Sequence, residues 1–342
     1  MAAPNYAPGL LHTPQPLVDL CTAYDPSESG YIRGEFFPRK VVPHNSDYIR
    51  GIDKGQMLRL YDLTMSTNGI APSVSVGISA NQQYNCKPFA ARASISAYDT
   101  ANADAALQFP MRATKQALIS VGQRMEYLAV STLRDAAVIT NNTTLAAAQY
   151  WDNYASVDSD PINDLTAAVD LVRIRCGKAK GRVKVSMHQL VWSRVKQHPN
   201  VIARLVFTGG AGAVLTPAIF AGMIGLNGPE DLIITSAQYT DSVEGETSTF
   251  RAFIGPDTIV GFAEDGGLDD YSLGHEFAFN GMAGDDPFFV RQYRVEQEGM
   301  TGTDYVQVAT SVDYKVTQVD AAYLIKVCVD VSNTALYGGL LS

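Results

Sequence analysis

The sequence predicts an α+β chain, and three observations carry that prediction. A long amphipathic helical pattern runs from Pro110 to about Ile139. β-rich stretches precede it, between Ser46 and Ser96, and follow it, between Phe288 and Val329. Between Asp160 and about Phe288, short apolar strands alternate with helices that carry recognisable start and stop signals, the mark of a mixed module.

The helix is the element around which the rest is organised. Met111, Leu118, Val121, Met125, Leu128, Ala136 and Ile139 recur at three-, four-, seven- and eight-residue steps, which places them on one stripe. Arg112, Gln116, Gln123, Tyr127 and Arg134 fall on the opposite side. Pro110 suits a first turn, where its missing N–H is no loss, and Thr140-Asn141-Asn142 begins a polar loop. At about 1.5 Å per residue the pattern predicts a rod of roughly 45 Å, long for a globular helix.

Composition narrows the function classes. The chain has 342 residues, 46% hydrophobic and 18% charged, with a formal net charge of −9. No run of basic residues is present, and this argues against a general nucleic-acid binder, which needs clustered Lys and Arg to neutralise phosphates. Low charge with 28 Gly and 17 Tyr suits a surface spent on contacts. Cys21, Cys86, Cys176 and Cys328 are widely spaced, without metal-ligand pairing, and are expected as buried, reduced thiols. No Lys or Arg precedes Arg33, so the positive region of a signal peptide is not expected, and no apolar run approaches the ~18 residues of a membrane span.

Residues 1–48 read as an arm. Pro4, Pro8, Pro14, Pro16 and Pro26 interrupt the backbone, and Tyr31–Val42 is expected as an extended segment ending at Pro43. From Ser46 to Ser96 the runs RLYDLTMS, SVSVGIS and FAARASIS surround Asn68-Gly69 and Pro72. They predict a long hairpin with a turn-rich tip. Arg50, Asp53, Lys54 and Arg59 lie near its base. Neither arm nor hairpin has the apolar alternation for a core of its own, so both are expected to lie on another surface.

The second half is better punctuated. Asp160-Pro161 is an N-cap followed by a first-turn proline; Ile162, Leu165, Val169, Val172 and Cys176 recur at three and four; Gly177 closes the helix. Val183–Met187 reads as a strand, about His188–Gln197 as a helix, Asn200–Val206 as a helical turn, Thr216-Pro217 as the start of a helix ending at Gly225, and Asp231–Ser236 as a buried strand. Phe250–Phe262 predicts two strands around a turn at Gly255-Pro256-Asp257, and Glu276–Phe279 a further β segment. Phe288–Val295, Asp304–Val316 and Ala322–Val329 are expected strands, the last apolar on both faces and so central.

Catalytic constellations are not evident. His188 and His198 flank one helix without an H-E-x-x-H pattern and are best read as surface or capped histidines. Asp152, Asp158, Asp160 and Asp164 lack EF-hand spacing. Gly209–Gly212 resembles half a phosphate-binding turn but lacks the Gly-Lys-Ser/Thr ending and follows a helix. Glu264-Asp265 and Asp269-Asp270 sit among glycines as a solvated loop. Neither cofactor nor metal is expected.

Three stretches carry a family resemblance. Ala101-Asn102-Ala103-Asp104-Ala105-Ala106-Leu107 leads into the long helix. Trp151-Asp152-Asn153-Tyr154 precedes Ser159-Asp160-Pro161-Ile162 and a helix–strand–helix unit ending at His198-Pro199-Asn200. The tail runs YRVEQEGMTGTDYVQVATSVDYKVTQVDAAYLI. In this order, over nearly the whole chain, they resemble the major capsid proteins of tailed double-stranded DNA bacteriophages, with the Hong Kong 97-type fold.

The resemblance implies an N-terminal arm (1–48), an extended loop (49–95), a peripheral domain (96–150 with strands in 288–312) and an axial domain (151–287 with 313–342). It implies self-assembly into pentamers and hexamers of an icosahedral shell around double-stranded DNA, in a virion assembled in the host cytoplasm. Scaffolding, portal and decoration proteins would be partners. The short Pro-rich arm points to scaffolding as a separate chain. Lys54 matches by type alone the lysine that some members cross-link to asparagine, and that chemistry is not carried over. By charge and place, Arg50, Asp53, Lys54, Arg59, Arg112 and Arg134 are the candidate inter-subunit contacts. Two other readings remain open at this point: an encapsulin-like nanocompartment shell, and a soluble α+β enzyme binding an anionic substrate at Gly209–Gly212.

Overall fold

In the computed structural model, the described residues are 30–52, 55, 59–65, 69–71, 73–74, 78–96, 109–177, 182–209, 214–243, 245–264, 272–283, 288–298, 302–332 and 340–341. Elements in chain order are α1 (Arg33–Phe36), β1 (Arg39–Val42), β2 (Ser46–Ile52), β3 (Ile78–Asn85), β4 (Lys87–Ser96), α2 (Phe109–Arg134) and β5 (Asn142–Thr144). Next come α3 (Pro161–Cys176), β6 (Val183–His188), α4 (Gln189–Gln197), α5 (Pro199–Gly209), α6 (Pro217–Met223), β7 (Leu232–Thr235), β8 (Gln238–Thr240) and β9 (Phe250–Ala252). β10 (Thr258–Phe262), β11 (Gly274–Phe279), β12 (Phe289–Val295), β13 (Thr303–Val316) and β14 (Ala322–Lys326) complete the sheets.

β13 is the axis of the first sheet. Its first half pairs antiparallel with β12 and β4, from Thr303↔Val295 and Thr303↔Ser96 onward, so those two strands lie on opposite edges. Its second half pairs with β11, which is extended by parallel β1. Side chains alternate across a strand. Val306 and Val308, in register with Ala93 and Ala91 of β4, therefore share one face and are fully buried. α2 packs across β4 and β13, burying Leu118, Val121, Met125, Ala129 and Leu133.

The helix is shorter than the sequence pattern predicts. It spans 26 residues, about 39 Å at the α-helical rise, and stops at Arg134 instead of Ile139. Asp135 supplies the reason. Its carboxylate accepts the Ala137 N–H and its carbonyl accepts those of Val138 and Ile139. The Ala137 and Val138 bonds thereby depart from the helical pattern, and only the Ile139 bond keeps its spacing. Ile139 stays buried, but on the turn.

The second sheet has the order β5-β14-β10-β6-β7. Its centre is β10, every residue of which is buried. The tail strand β14 is inside the sheet as predicted but lies one place from the edge, covered by the short parallel β5. α3 packs on β10, β14 and β6. Its ends are as the sequence predicts: Asp160 accepts the N–H groups of Ile162 and Asn163, and Gly177 takes the left-handed conformation at φ 65. β9 and β10 flank the Gly255-Pro256-Asp257 turn without pairing together: β9 pairs with β8, β10 with β14 and β6.

Two expectations for the first hundred residues change. Tyr31–Val42 is not extended throughout: α1 forms a helical turn, and Ile32, Phe36 and Phe37 are fully buried in the main core. Gly274 and Gly261 make room for these rings, since a Cβ at Gly274 would collide with the Lys315 carbonyl and meet Phe37 at 2.8 Å. The hairpin is also narrower than predicted. Its paired arms are β2 and β3, in register from Ser46↔Asn85 to Ile52↔Ile78. The FAARASIS run belongs instead to β4, inside the first sheet. Residues 59–65 carry no strand pairing. Residues 1–29 lie outside the described residues.

Candidate assembly surfaces

The geometry consists of a rigid frame and the surfaces that frame holds up. The frame depends on a buried polar network that crosses the whole fold. The N–H groups of Ile32 and Arg33 donate to Glu126 Oε1 and Oε2 at 2.8 and 3.2 Å, so mid-α2 caps the opening of α1. Arg33, itself buried, lies among Glu126, Glu276 and Tyr314. The Tyr314 hydroxyl donates to Glu276 Oε2 at 2.9 Å. Burial pushes Glu126 up to about 7, against the opposing pull of the two N–H bonds and of Arg33. It also drives the Tyr314 hydroxyl well above the ordinary tyrosine range. On the second sheet's side, Lys184 of β6 reaches Glu35 of α1 at 2.7 Å.

The two histidines singled out by sequence are buried helix caps. His188 Nδ1 accepts the Leu190 N–H and His198 Nδ1 the Asn200 N–H, each at 3.2 Å. Burial lowers His188 to about 4 and moves His198 in the same direction. Trp151 is fully buried and its indole N–H donates to Asp164. Asp160 is a cap, and the Asp152 carboxylate accepts the Asp330 N–H. Among the described residues, no group of three or more His, Cys, Asp or Glu could hold a metal. Cys86, Cys176 and Cys328 are buried thiols, and burial raises Cys86 to about 11. No helix among the described residues is long and apolar enough to cross a membrane.

Two surfaces stand on this frame, the first open to solvent and the second largely half-buried, with Arg92 exposed and Tyr305 buried. The first is the hairpin. Tyr84 stacks on Phe277 at 4.7 Å, and the Asn85 N–H donates to Asp313 at 2.8 Å, so its base is fixed to the first sheet. Beyond the base, Leu60 and Ile70 are 98% and 97% exposed, and Leu63, Met65 and Val74 are also open to solvent. The second is the face of the first sheet turned away from α2. Arg291 and Tyr293 of β12 lie in register with Gln307 and Tyr305 of β13, and Arg92 of β4 lies opposite Gln307. Both polar guanidinium contacts of Arg291 are to Gln307 Oε1. The two tyrosine rings stack at 5.6 Å, with Arg92 4.8 Å over Tyr305 and Arg291 5.1 Å over Tyr293.

The predicted contact residues divide among these places. Arg50 lies in β2, with only its backbone described; Asp53 and Lys54 lie outside the described residues. Arg59 is exposed beside Leu60, and Arg112 is exposed in the first turn of α2. Arg134 turns inward: its Nε reaches Asp257 at 2.7 Å and its Nη1 the Phe253 carbonyl at 3.2 Å. Gly209 ends α5, and residues 210–212 lie outside the described residues. Sequence reasoning missed Glu126, Arg33 and the Arg–Tyr face. The alternation of RQYR against DYVQ could have revealed the face; nothing local marks Glu126.

A long helix laid over a β-sheet, a second mixed sheet, and a hairpin projecting without a core make up the Hong Kong 97-like fold of phage capsid proteins. Among the solved structures similar to this chain are the following three. A phage-related protein from Bordetella bronchiseptica RB50 aligns at TM-score 0.69 and 18% identity, covering 93% of this chain and 98% of its own. A putative capsid protein of a prophage of E. coli CFT073 aligns at TM-score 0.51 and 14% identity, covering 93% and 99%. The capsid of the cyanophage P-SCSP1u aligns at TM-score 0.51 and 11% identity, covering 85% and 87%. No family model matches the sequence, and no curated protein does.

Proposed function

We propose that this chain is a major capsid protein, assembling into pentamers and hexamers of an icosahedral shell around a double-stranded DNA phage genome. The single observation that carries the reading beyond fold is the hairpin. Its base is locked to the first sheet, while Leu60, Leu63, Met65 and Ile70 point into solvent. Apolar side chains held out in solvent gain free energy by covering another molecule. Head-to-tail rings supply that molecule, because each copy offers its hairpin to the next and the ring closes.

In this reading the arm is the part of 1–48 that precedes Tyr31, and the extended loop is the β2–β3 hairpin within 49–95, since Tyr31–Phe37 and β4 belong to the body. The peripheral domain comprises 96–150 and the strands of 288–312; the axial domain comprises 151–287 and 313–342. The Arg–Tyr face and Arg59 and Arg112 are inter-subunit surfaces. The subunit works by packing rather than turnover. Scaffolding, portal and decoration proteins join it in a virion assembled in the host cytoplasm. The net charge of −9 keeps the inner wall from gripping DNA.

Negative-stain electron microscopy of the purified full chain, alone and co-expressed with its neighbouring genes, tests the proposal. Closed shells or rings of five and six are expected. Monomers or dimers under both conditions would overturn it.

A further inference from the structure

A cleft of about 270 Å³ opens between the C-terminal half of α2 and the β8–β9 ribbon. One wall is aromatic: Tyr127 meets Tyr239 edge-on at 5.5 Å, and Tyr239 meets Phe253 at 4.9 Å. The other wall carries Arg134, Asp257 and Lys326. Asp257 is already engaged on both oxygens, receiving Arg134 Nε on one and the Val327 N–H on the other at 3.0 Å. Lys326 has no ion-pair partner among the described residues. Arg124 lies 5.4 Å over the Tyr127 ring, and the exposed Asp135 is the second carboxylate of the lining.

The backbone beside Lys326 is strained. Val327 has φ 55, the only non-Gly residue with positive φ among the described residues. For a β-branched residue that is a true outlier, and such strain persists where the surroundings over-determine it. Here it ends β14, turns the Val327 N–H onto Asp257, and leaves Lys326 in the cleft.

We infer that this cleft is a socket for a carboxylate side chain of a second copy of the chain, with Lys326 as the receiving cation and the aromatic wall covering the carboxylate's stem. The inference rests on the shell reading above. Charge favours this occupant: Lys326 is the lining cation without an ion pair among the described residues, and the chain carries 35 acidic residues against 26 basic ones, so a neighbouring copy chiefly offers carboxylates. A nucleic-acid backbone fits less well, because it needs a track of cations and the cleft offers a single pocket.

The test uses shells formed from an equal mixture of ¹⁴N- and ¹⁵N-labelled full-length chain, treated with a zero-length carbodiimide and digested for mass spectrometry. The expected product is an amide between Lys326 and an Asp or Glu of the other isotope, present in shells and absent from unassembled chains. In parallel, Lys326→Glu should raise the concentration needed for assembly by about tenfold or more, while Lys326→Arg assembles as wild type. Cross-links of Lys326 only within one chain, or protection of its amine only when DNA is present, would overturn the inference. So would wild-type assembly by Lys326→Glu. Failure of the wild type to assemble at all would instead overturn the shell reading, and this inference with it.

Discussion

Arg134 Nε lies 2.7 Å from Asp257 Oδ2, joining the last residue of α2 to the residue before the central strand of the other sheet. Asp257 is 2% exposed and Arg134 34%. The pair therefore joins the two sheets from a largely dry position, and the Val327 N–H depends on the same carboxylate.

Asp257→Ala removes the acceptor from both donors and leaves Arg134 half-buried without a counter-charge. The expected cost is about 2–4 kcal/mol, below the full value for a wholly buried pair because Arg134 still reaches solvent. Urea unfolding of the isolated chain measures it. A loss under about 1 kcal/mol would show that the pair does not join the sheets energetically.

Glu126 gives the fold a pH dependence of unusual sign. Its folded value of about 7 lies above its ordinary 4.5. Between those pH values the folded state holds a proton that the unfolded state has released. Its contribution is thus fully favourable below about 4.5 and fades as pH rises to about 7, by up to about 3 kcal/mol. Glu126→Gln should flatten that slope, read as urea midpoints at pH 5, 6, 7 and 8. An unchanged slope would mean that Glu126 is ionised throughout.

His188 acts in the opposite direction. Its folded value of about 4 lies below the ordinary 6.5, so stability falls as pH drops from about 6.5 towards 4. In the overlap from about 4.5 to 6.5 the two groups oppose each other, and the wild-type profile alone conceals both. His188→Asn retains a good cap and should remove the acid loss. Thermal midpoints of this variant and wild type at pH 5 and 7 separate the terms; an equal acid loss in both would contradict the assignment.

Replacing residues 53–77 by a short turn should leave the two sheets intact, because β2, β3 and β4 keep their partners. Circular dichroism should show the wild-type helix signal, and electron microscopy should show no shells. Intact shells would remove the hairpin from the assembly contacts. A deletion reaching residue 95 would be a poor test, since it removes β4 from the core sheet.

How far the sequence revealed this structure depended on the range of the forces involved. α3 was legible from Asp160, Pro161 and Gly177 because caps act within one turn. The start of α6 was legible for the same reason, as Thr216 caps it. Glu126 and Ile32 are 94 residues apart, and no local pattern announces that a glutamate on a helix will cap a distant turn. Such a tie also explains why Tyr31–Phe37, read as part of an arm, is core. FAARASIS reads equally as hairpin or sheet, because alternation fixes a strand's faces but not its partner. Arg134 was assigned to the helix's outer stripe by periodicity, which cannot foresee a buried aspartate brought in from residue 257. The Lys326 cleft lies wholly in tertiary structure.

The ladder between β4 and β13 runs unbroken from Ser96↔Thr303 to Lys87↔Val312. β4 is also the strand through which the hairpin continues into the body. Antiparallel bonds lie perpendicular to their strands, so tension drawn along β4 loads the whole ladder in shear at once instead of peeling it bond by bond. A pull on the hairpin is thereby delivered to β13 and, through its second half, to β11. The projecting part of the molecule is the part best anchored against being torn away.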